Sequence, residues 1–509
     1  MSKMLIQRRM QALALLAIPA GLLTGCLVGP KYHVPASVAQ TAPPAAYKES
    51  PSPSQEAGDW KVAQPQDAML RGKWWEIYGD AELNALEERL NIDNQNIKIF
   101  FENFMEARTL IAQARSQLYP TLATAPTYSR SRSSSNLTHS TVANTGAESS
   151  IGSLSLDASW EPDLWGKVRN TIHEEQYNAQ LSAADLENER LTEQATLAET
   201  FFEIRGQDAL VKVLHDTVVA DQKALDLTQS LYDAGIGDKI SVVEALNTLQ
   251  NAQASEINLG VARAQDEHAI AMLVGASAST FSIPVKPATA IPPAVPIGLP
   301  SQLLERRPDI AASERTMAAA NAQIGVADAA FYPSLTLSAT GGFESSSFKH
   351  LLDWPSRFWS VGPTVNETIF DAGLRRATVN QFVATYNADV ATYRQTVLTA
   401  FQQVEDALAS VRILSQQIVQ QQKAEQSAEL FVKLETARYE TGVDPYIDVV
   451  TAQTTLLSDQ QTLTSLQIQR MTASVQLIEA LGGGWDRSQL PTPAQVSQKL
   501  TKDETTIQR

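Results

Sequence analysis

The sequence predicts a mixed α and β membrane protein built from an internal duplication, on three observations. The stretch Tyr232–Gly275 recurs at Tyr439–Gly482 without a gap, 207 residues later, the separation of Gly235 and Gly442. In each half a pair of segments with alternating polarity precedes the repeat. Each half also carries a proline-free run long enough for an outsize amphipathic helix. The copies match at Tyr232/Tyr439, Ile240/Ile447, Val242/Val449, Val243/Val450, Leu249/Leu456, Arg263/Arg470 and Gly275/Gly482.

Bulk composition narrows the class of function. At 509 residues, 43% apolar and 19% charged, the chain is long enough for two or three ordinary cores and is unlike a disordered protein. A formal charge of −16 lacks the basic footprint that nucleic acid requires, so no nucleic-acid partner is expected. The lone cysteine, Cys26, rules out a disulfide framework or thiolate metal site within one chain. His33, His139, His173, His215, His268 and His350 are scattered without ligand spacing, so no metal or other cofactor is expected.

Residues 1–25 read as a signal peptide: Lys3, Arg8 and Arg9 precede an apolar run centred on Ala12–Leu23, too short for a transmembrane helix. The run ends in Leu23-Thr24-Gly25-Cys26, which resembles a bacterial lipobox. Cys26 would then begin the mature protein and carry a covalent lipid, diacylglycerol with an N-acyl (palmitate-type) chain. Residues 26–60, rich in Pro, Ala and Ser, form an extended tether.

The first repeat covers 61–290. Leu83, Leu86 and Leu90 begin a helical pattern, and a helix from Asn94 stops at Tyr119-Pro120. Strands are expected at about 121–132 and 151–162, where Leu154, Leu156, Ala158 and Trp160 alternate with Ser153, Ser155, Asp157 and Ser159. Long helices follow at about 167–232 and 241–273, with a seam at Leu197, Phe201, Ile204, Val211, Leu214 and Val218. The second repeat, 291–485, has strands at about 335–343 and 358–370 and long helices at about 374–439 and 447–481. Its seam runs through Val390, Tyr393, Val397, Phe401, Val404, Leu408 and Val411, in coiled-coil steps of three and four. Residues 486–509 read as a polar C-terminal tail.

Strands in lipid cannot leave backbone groups unpaired, and four per chain are too few to close a barrel, whose smallest common form has about eight. Several copies must therefore pool their strands. The lipobox, Trp74-Trp75, Asp163-Leu164-Trp165-Gly166, Arg306-Arg307-Pro308-Asp309, Phe331-Tyr332-Pro333, Phe370-Asp371-Ala372-Gly373 and Ala480-Leu481-Gly482-Gly483-Gly484-Trp485 occur in an order that resembles the TolC family of outer-membrane efflux proteins. The lipoprotein (NodT-like) branch associated with resistance-nodulation-division pumps is most similar. The resemblance implies a homotrimer with a 12-stranded β-barrel in outer-membrane lipid, continued by a long periplasmic α-helical coiled-coil barrel. It implies a passive exit duct for substrates handed over by an inner-membrane pump and a periplasmic adaptor (membrane fusion protein), with no catalysis. The organism would be a Gram-negative-type bacterium.

The turns at Tyr232–Ile240 and Tyr439–Ile447 would form the periplasmic tip, with Gly235, Gly237, Gly442 and Val443 expected to dock the adaptor. Asp444, Asp448 and Thr451 are the candidate pore constriction; acidic rings from three copies would favour cations. Family members often carry an aspartate just before the Ala-Gln of the second returning helix and an arginine shortly after. This chain holds Thr451 and Thr454 there and departs from that gate. The copies differ at Asp238/Pro445, Lys239/Tyr446 and Glu244/Thr451, where unequal roles in docking and gating are expected. Rival readings are a periplasmic coiled-coil adaptor, a structural lipoprotein or a receptor; an adaptor would lack the paired strands. A lipoprotein enzyme would need a nucleophile with a base, a phosphate loop or a metal cluster, and the sequence offers none of these.

Overall fold

The computed structural model describes residues 26–36, 47–49, 72–132, 134, 148–287, 291–293, 295 and 304–499. The expected signal peptide, residues 37–46 and 50–60 of the tether, and residues 500–509 of the tail lie outside these.

Helices α1 (Ala81–Asp93) and α2 (Gln95–Ser116) lead into strands β1 (Thr121–Arg132) and β2 (Glu148–Trp160). A helical hairpin follows, α3 (Lys167–Asp233) and α4 (Lys239–Leu273). The second half repeats the plan with α5 (Pro308–Ala329), β3 (Ser334–Ser345), β4 (Arg357–Asn366), α6 (Leu374–Glu440) and α7 (Tyr446–Ala480), then a short α8 (Pro493–Val496). The duplication is visible in the backbone itself. Gly166/Gly373, Gly235/Gly442 and Gly275/Gly482 are pairs 207 residues apart, and all six have positive φ.

The strands form one antiparallel sheet in the order β1-β2-β3-β4. Leu154 pairs with Pro126 and Phe343, Leu156 with Thr124 and Gly341, and Ala158 with Leu122 and Ala339. Across the next ladder Leu335 meets Val365, Leu337 meets Pro363, Ala339 meets Val361 and Gly341 meets Trp359. Paired residues share a face, so this register gathers Leu122, Leu154, Leu156, Trp160, Leu335, Leu337, Trp359, Val361 and Val365 on one side. Ser153, Ser155, Asp157, Ser338, Thr340, Ser360 and Thr364 fall on the other, where the Thr340 hydroxyl donates to Asp157 at 2.8 Å. Among the described residues the outer edges of β1 and β4 have no partner strand. Both sheet prolines, Pro126 and Pro363, lie on these outer strands, the position that a residue without an N–H tolerates.

Helices α3 and α6 have 67 residues each, about 100 Å at the usual rise, and the returning arms α4 and α7 have 35. Among the described residues no helix is long and apolar enough to cross a membrane. Helical stability in proteins comes mostly from packing of an apolar face rather than from propensity, so lateral contacts hold these helices. Leu197, Phe201, Ile204 and Leu214 of α3 are buried, as are Tyr393, Val397, Val404, Leu408 and Val411 of α6; Val211, Val218, Val390 and Phe401 are half-buried. At one crossing α3 needs a glycine: a Cβ on Gly206 would stand 2.1 Å from Ile468 Cδ1 of α7.

The main core lies midway, where Trp74, Trp75, Leu83, Leu90, Phe201, Ile270, Ile310, Met317, Val475 and Ile478 meet. The Trp74 indole donates to Gln194 Oε1 at 3.2 Å, which satisfies its buried N–H. A buried charge network ties the chain between the repeats to this belt. Asp208 accepts from Arg263 at 2.7 Å and from Arg205 at 3.3 Å, and Arg263 also holds the Ile283 carbonyl at 2.9 Å.

Three boundaries differ from the sequence expectation. Strand β4 stops at Asn366 rather than at 370, because the Thr368 carbonyl accepts from the Arg375 guanidinium at 2.7 Å instead of continuing the ladder. Strand β2 runs from 148 and ends at Trp160, before Pro162, with the Trp160 indole donating to the Leu118 carbonyl at 3.0 Å. The polar tail is docked as far as Gln498: Val496 is buried, Arg115 donates to the Ser497 carbonyl at 2.9 Å and Gln180 to the Pro491 carbonyl at 2.7 Å. Val496, the partly buried Leu490, these two hydrogen bonds and a capping box at Thr492 and Gln495 seat it.

Candidate functional site

The hairpin tips are built by different local chemistry on the same frame. In the first, Gly235 takes φ 77° and the Ile236 and Gly237 amides donate back to the Leu231 carbonyl at 3.0 and 2.9 Å. Asp238 then caps α4 by accepting from the Ser241 amide at 2.7 Å, and that bond holds its carboxyl below the usual range. In the second, Gly442 takes φ 72° and the Val443 amide donates to the Arg438 carbonyl at 2.9 Å. Pro445 opens α7 with no side-chain cap. The Cβ positions of Gly235 and Gly442 have nothing within 4 Å, so both turns present open backbone.

Asp444 and Asp448 are brought together, and they are not alone. Their carboxylates and that of Glu435 lie within 4.8 Å of one another. Arg438 forms a bidentate pair with Asp444, its Nη2–Oδ1 arm measuring 3.0 Å, and draws the Asp444 carboxyl below its ordinary range. Burial, then Asp444, pushes the Glu435 carboxyl up. Sequence reasoning missed Glu435 and Arg438, which precede the turn; their spacing of three on the outgoing helix was the available signal.

Thr451 and Thr454 turn their hydroxyls inward on α7, donating to the Ile447 and Val450 carbonyls at 2.8 Å each. The exchange of Lys239 for Tyr446 is larger in effect. Lys239 places its ammonium 5.1 Å from the Tyr232 ring centroid, whereas Tyr446 is buried against Tyr439, ring centroids 5.2 Å apart. Ile236 (79% exposed) and Val443 (64%) crown the two tips as bare apolar side chains.

At the sheet end of the long helices, Cys26 is exposed and its neighbours are pinned. The Val28 amide donates to the Trp165 carbonyl at 3.1 Å, Asn170 to the Val28 carbonyl at 2.8 Å, and Arg169 to the Cys26 carbonyl at 3.1 Å. Trp165 itself stacks on Tyr332 at 4.8 Å and donates to the Pro333 carbonyl at 2.7 Å. Cys26 therefore stands where the sheet meets the helices.

The sequence profile described as outer membrane efflux protein matches residues 92–276 and again 299–483. Both ends of the second match stand 207 residues after those of the first, the same offset as the glycine pairs. The chain belongs to the outer membrane efflux protein family. The efflux protein is 28% identical over 477 residues to the probable efflux pump outer membrane protein TtgC of Pseudomonas putida, covering 93% of this chain and 96% of that one. It is 30% identical over 480 residues to the solvent efflux pump outer membrane protein SrpC of Pseudomonas putida, covering 92% and 97%. The structure of the outer-membrane channel OprN superposes with a TM-score of 0.80 at 26% identity, covering 90% of this chain and all of that one. The efflux protein is thus the outer-membrane channel of an efflux system, and its mixed fold of a small sheet continued by long helices is that of its relatives.

Proposed function

We propose that the efflux protein works as a homotrimer whose three sheets close a 12-stranded barrel and whose helices extend it as one periplasmic tunnel. The observation that carries this reading is the sheet: a predominantly apolar face, a polar face and two edges unpaired among the described residues. In lipid each unpaired backbone group would cost several kcal/mol, so the edges of β1 and β4 must pair with other copies. A coiled-coil adaptor has no use for such a sheet.

In this reading the duct is passive and catalyses nothing. An inner-membrane pump delivers substrates through a periplasmic adaptor, which docks on Gly235, Gly237, Gly442 and Val443 beside the bare apolar side chains of the tips. Asp444, Asp448 and Thr451 line the constriction. Glu435 adds a third carboxylate to each copy, and Arg438 cancels one, leaving an acidic excess that favours cations. Cys26 carries diacylglycerol and an N-acyl chain, which anchor the protein beside its own barrel.

Membrane fractionation with unheated gel electrophoresis tests the whole. A heat-sensitive trimer in the outer-membrane fraction is expected; a water-soluble monomer from a Cys26→Ser variant made with a cleavable leader would overturn it. For the constriction, single-channel recordings of Asp444→Ala and Asp448→Ala should show reduced cation preference, and unchanged conductance and selectivity in both would reject their role.

A further inference from the structure

Midway between belt and tip, α3 buries a carboxylate that nothing satisfies. Asp221 is 2% exposed, and both its oxygens are buried without a hydrogen-bond partner. It shares a helix face with Leu225 and the buried Thr228, at spacings of four and seven. That region packs on the cluster formed by Ala245 of α4 and Tyr446 and Val449 of α7, which joins the two hairpins. Tyr446 from α7 faces it, and Tyr446 in turn is flanked by Tyr439 from α6 and Glu244 from α4; no cation pairs with Asp221 among the described residues.

The duplication supplies a control. The position 207 residues after Asp221 is Ala428, also buried and with no charge to satisfy. A packed hairpin therefore does not need a carboxyl here, and an ionised one opposes packing because its hydration is lost without replacement. We infer that Asp221 is a proton-sensitive latch between the two hairpins: neutral, it lets α3 seat against α7 and narrows the tip; ionised, it loosens that contact and widens it. This inference rests on the duct reading above.

Burial pushes the Asp221 carboxyl from 3.8 up to about 6. The folded value is raised, so the packed arrangement is fully favoured below the ordinary aspartate range and loses its advantage as pH rises through about 6. A displacement of roughly two pH units corresponds to about a hundredfold bias against packing at neutral pH. Acidification of the space around the tip would close the duct.

Planar-bilayer recordings of the full-length protein between pH 5 and pH 8 test the latch. Wild type should conduct more at the alkaline end, with a midpoint near pH 6. Asp221→Asn, which keeps the shape, and Asp221→Ala, which copies the second repeat, should stay in the low-conductance state throughout. Hydrogen exchange of the amides at 446–452 gives a second readout: protection that rises on acidification in wild type and is high at every pH in both variants. A wild type with steady currents and flat exchange, or an Asp221→Asn variant that keeps the wild-type midpoint, would overturn the latch and leave the duct intact. Absence of any current from the wild-type trimer would instead overturn the duct reading.

Discussion

Single residues decide where charge is tolerated. Glu199 lines a cavity of about 600 Å³ at the belt together with Arg307, Asp406 and Glu479, and burial and Glu479 push its carboxyl up to about 7. Its folded value exceeds the ordinary one, so the fold is unpenalised below 4.5 and loses stability progressively as pH rises from there through about 7. Glu199→Gln should raise the apparent Tm at pH 8 and leave it nearly unchanged at pH 4, below the ordinary carboxylate value of 4.5; equal shifts at both would refute this account. Phe201, fully buried beside it and under the Arg205 guanidinium at 4.7 Å, is a packing residue. Phe201→Ala should cost about 3–5 kcal/mol, measured by denaturant unfolding of the detergent-solubilised protein. The seam spacing makes Phe201 legible in the sequence, whereas the state of Glu199 depends on Glu479, a residue far along the chain that only packing brings close.

Elements carry the duplication with local substitutions. The start of each long helix is clasped by an aspartate and an arginine: Arg169 Nε meets Asp163 at 3.0 Å, and Arg375 Nε meets Asp371 at 2.6 Å. These pairs are not strict copies, since Asp371 stands 208 residues after Asp163 and Arg375 stands 206 after Arg169. The same junction is made from shifted positions, which sequence alignment alone does not show. At the tips the shared glycines are conformational requirements. Gly442→Val should distort the turn, because a β-branched residue strongly resists positive φ, whereas Gly442→Asn should preserve it. If the open backbone also docks an adaptor, the Asn variant should fold as a normal trimer, seen on unheated gels, yet lose adaptor cross-linking. Retained cross-linking would leave Gly442 a turn residue alone.

At the scale of the whole molecule the sheet is one third of the proposed barrel and waits for the other two copies. Its outer strands β1 and β4 lie at opposite edges, so contacts between them must be made by different copies. Cysteines scanned along Ala125–Tyr128 of β1 and Val361–Thr364 of β4, in a Cys26→Ser background, should cross-link between chains and not within one. Cross-links confined within single chains, or none from any pair, would refute a shared barrel.

What the sequence determined by itself is periodic: a repeat of 207 residues, alternation in four segments, and steps of three and four along the long helices. Those patterns are local consequences of strand and helix geometry, so the two-faced strands and both seams were legible, as were the glycine turns. Tertiary structure decided which polar groups find partners. It gave Asp444, in the turn, an arginine from the end of the helix before it, and left Asp221, buried on α3, with none. The reason is physical: spacing sets the face on which a side chain lies, but its charge is settled by whatever the neighbouring helix presents across the interface.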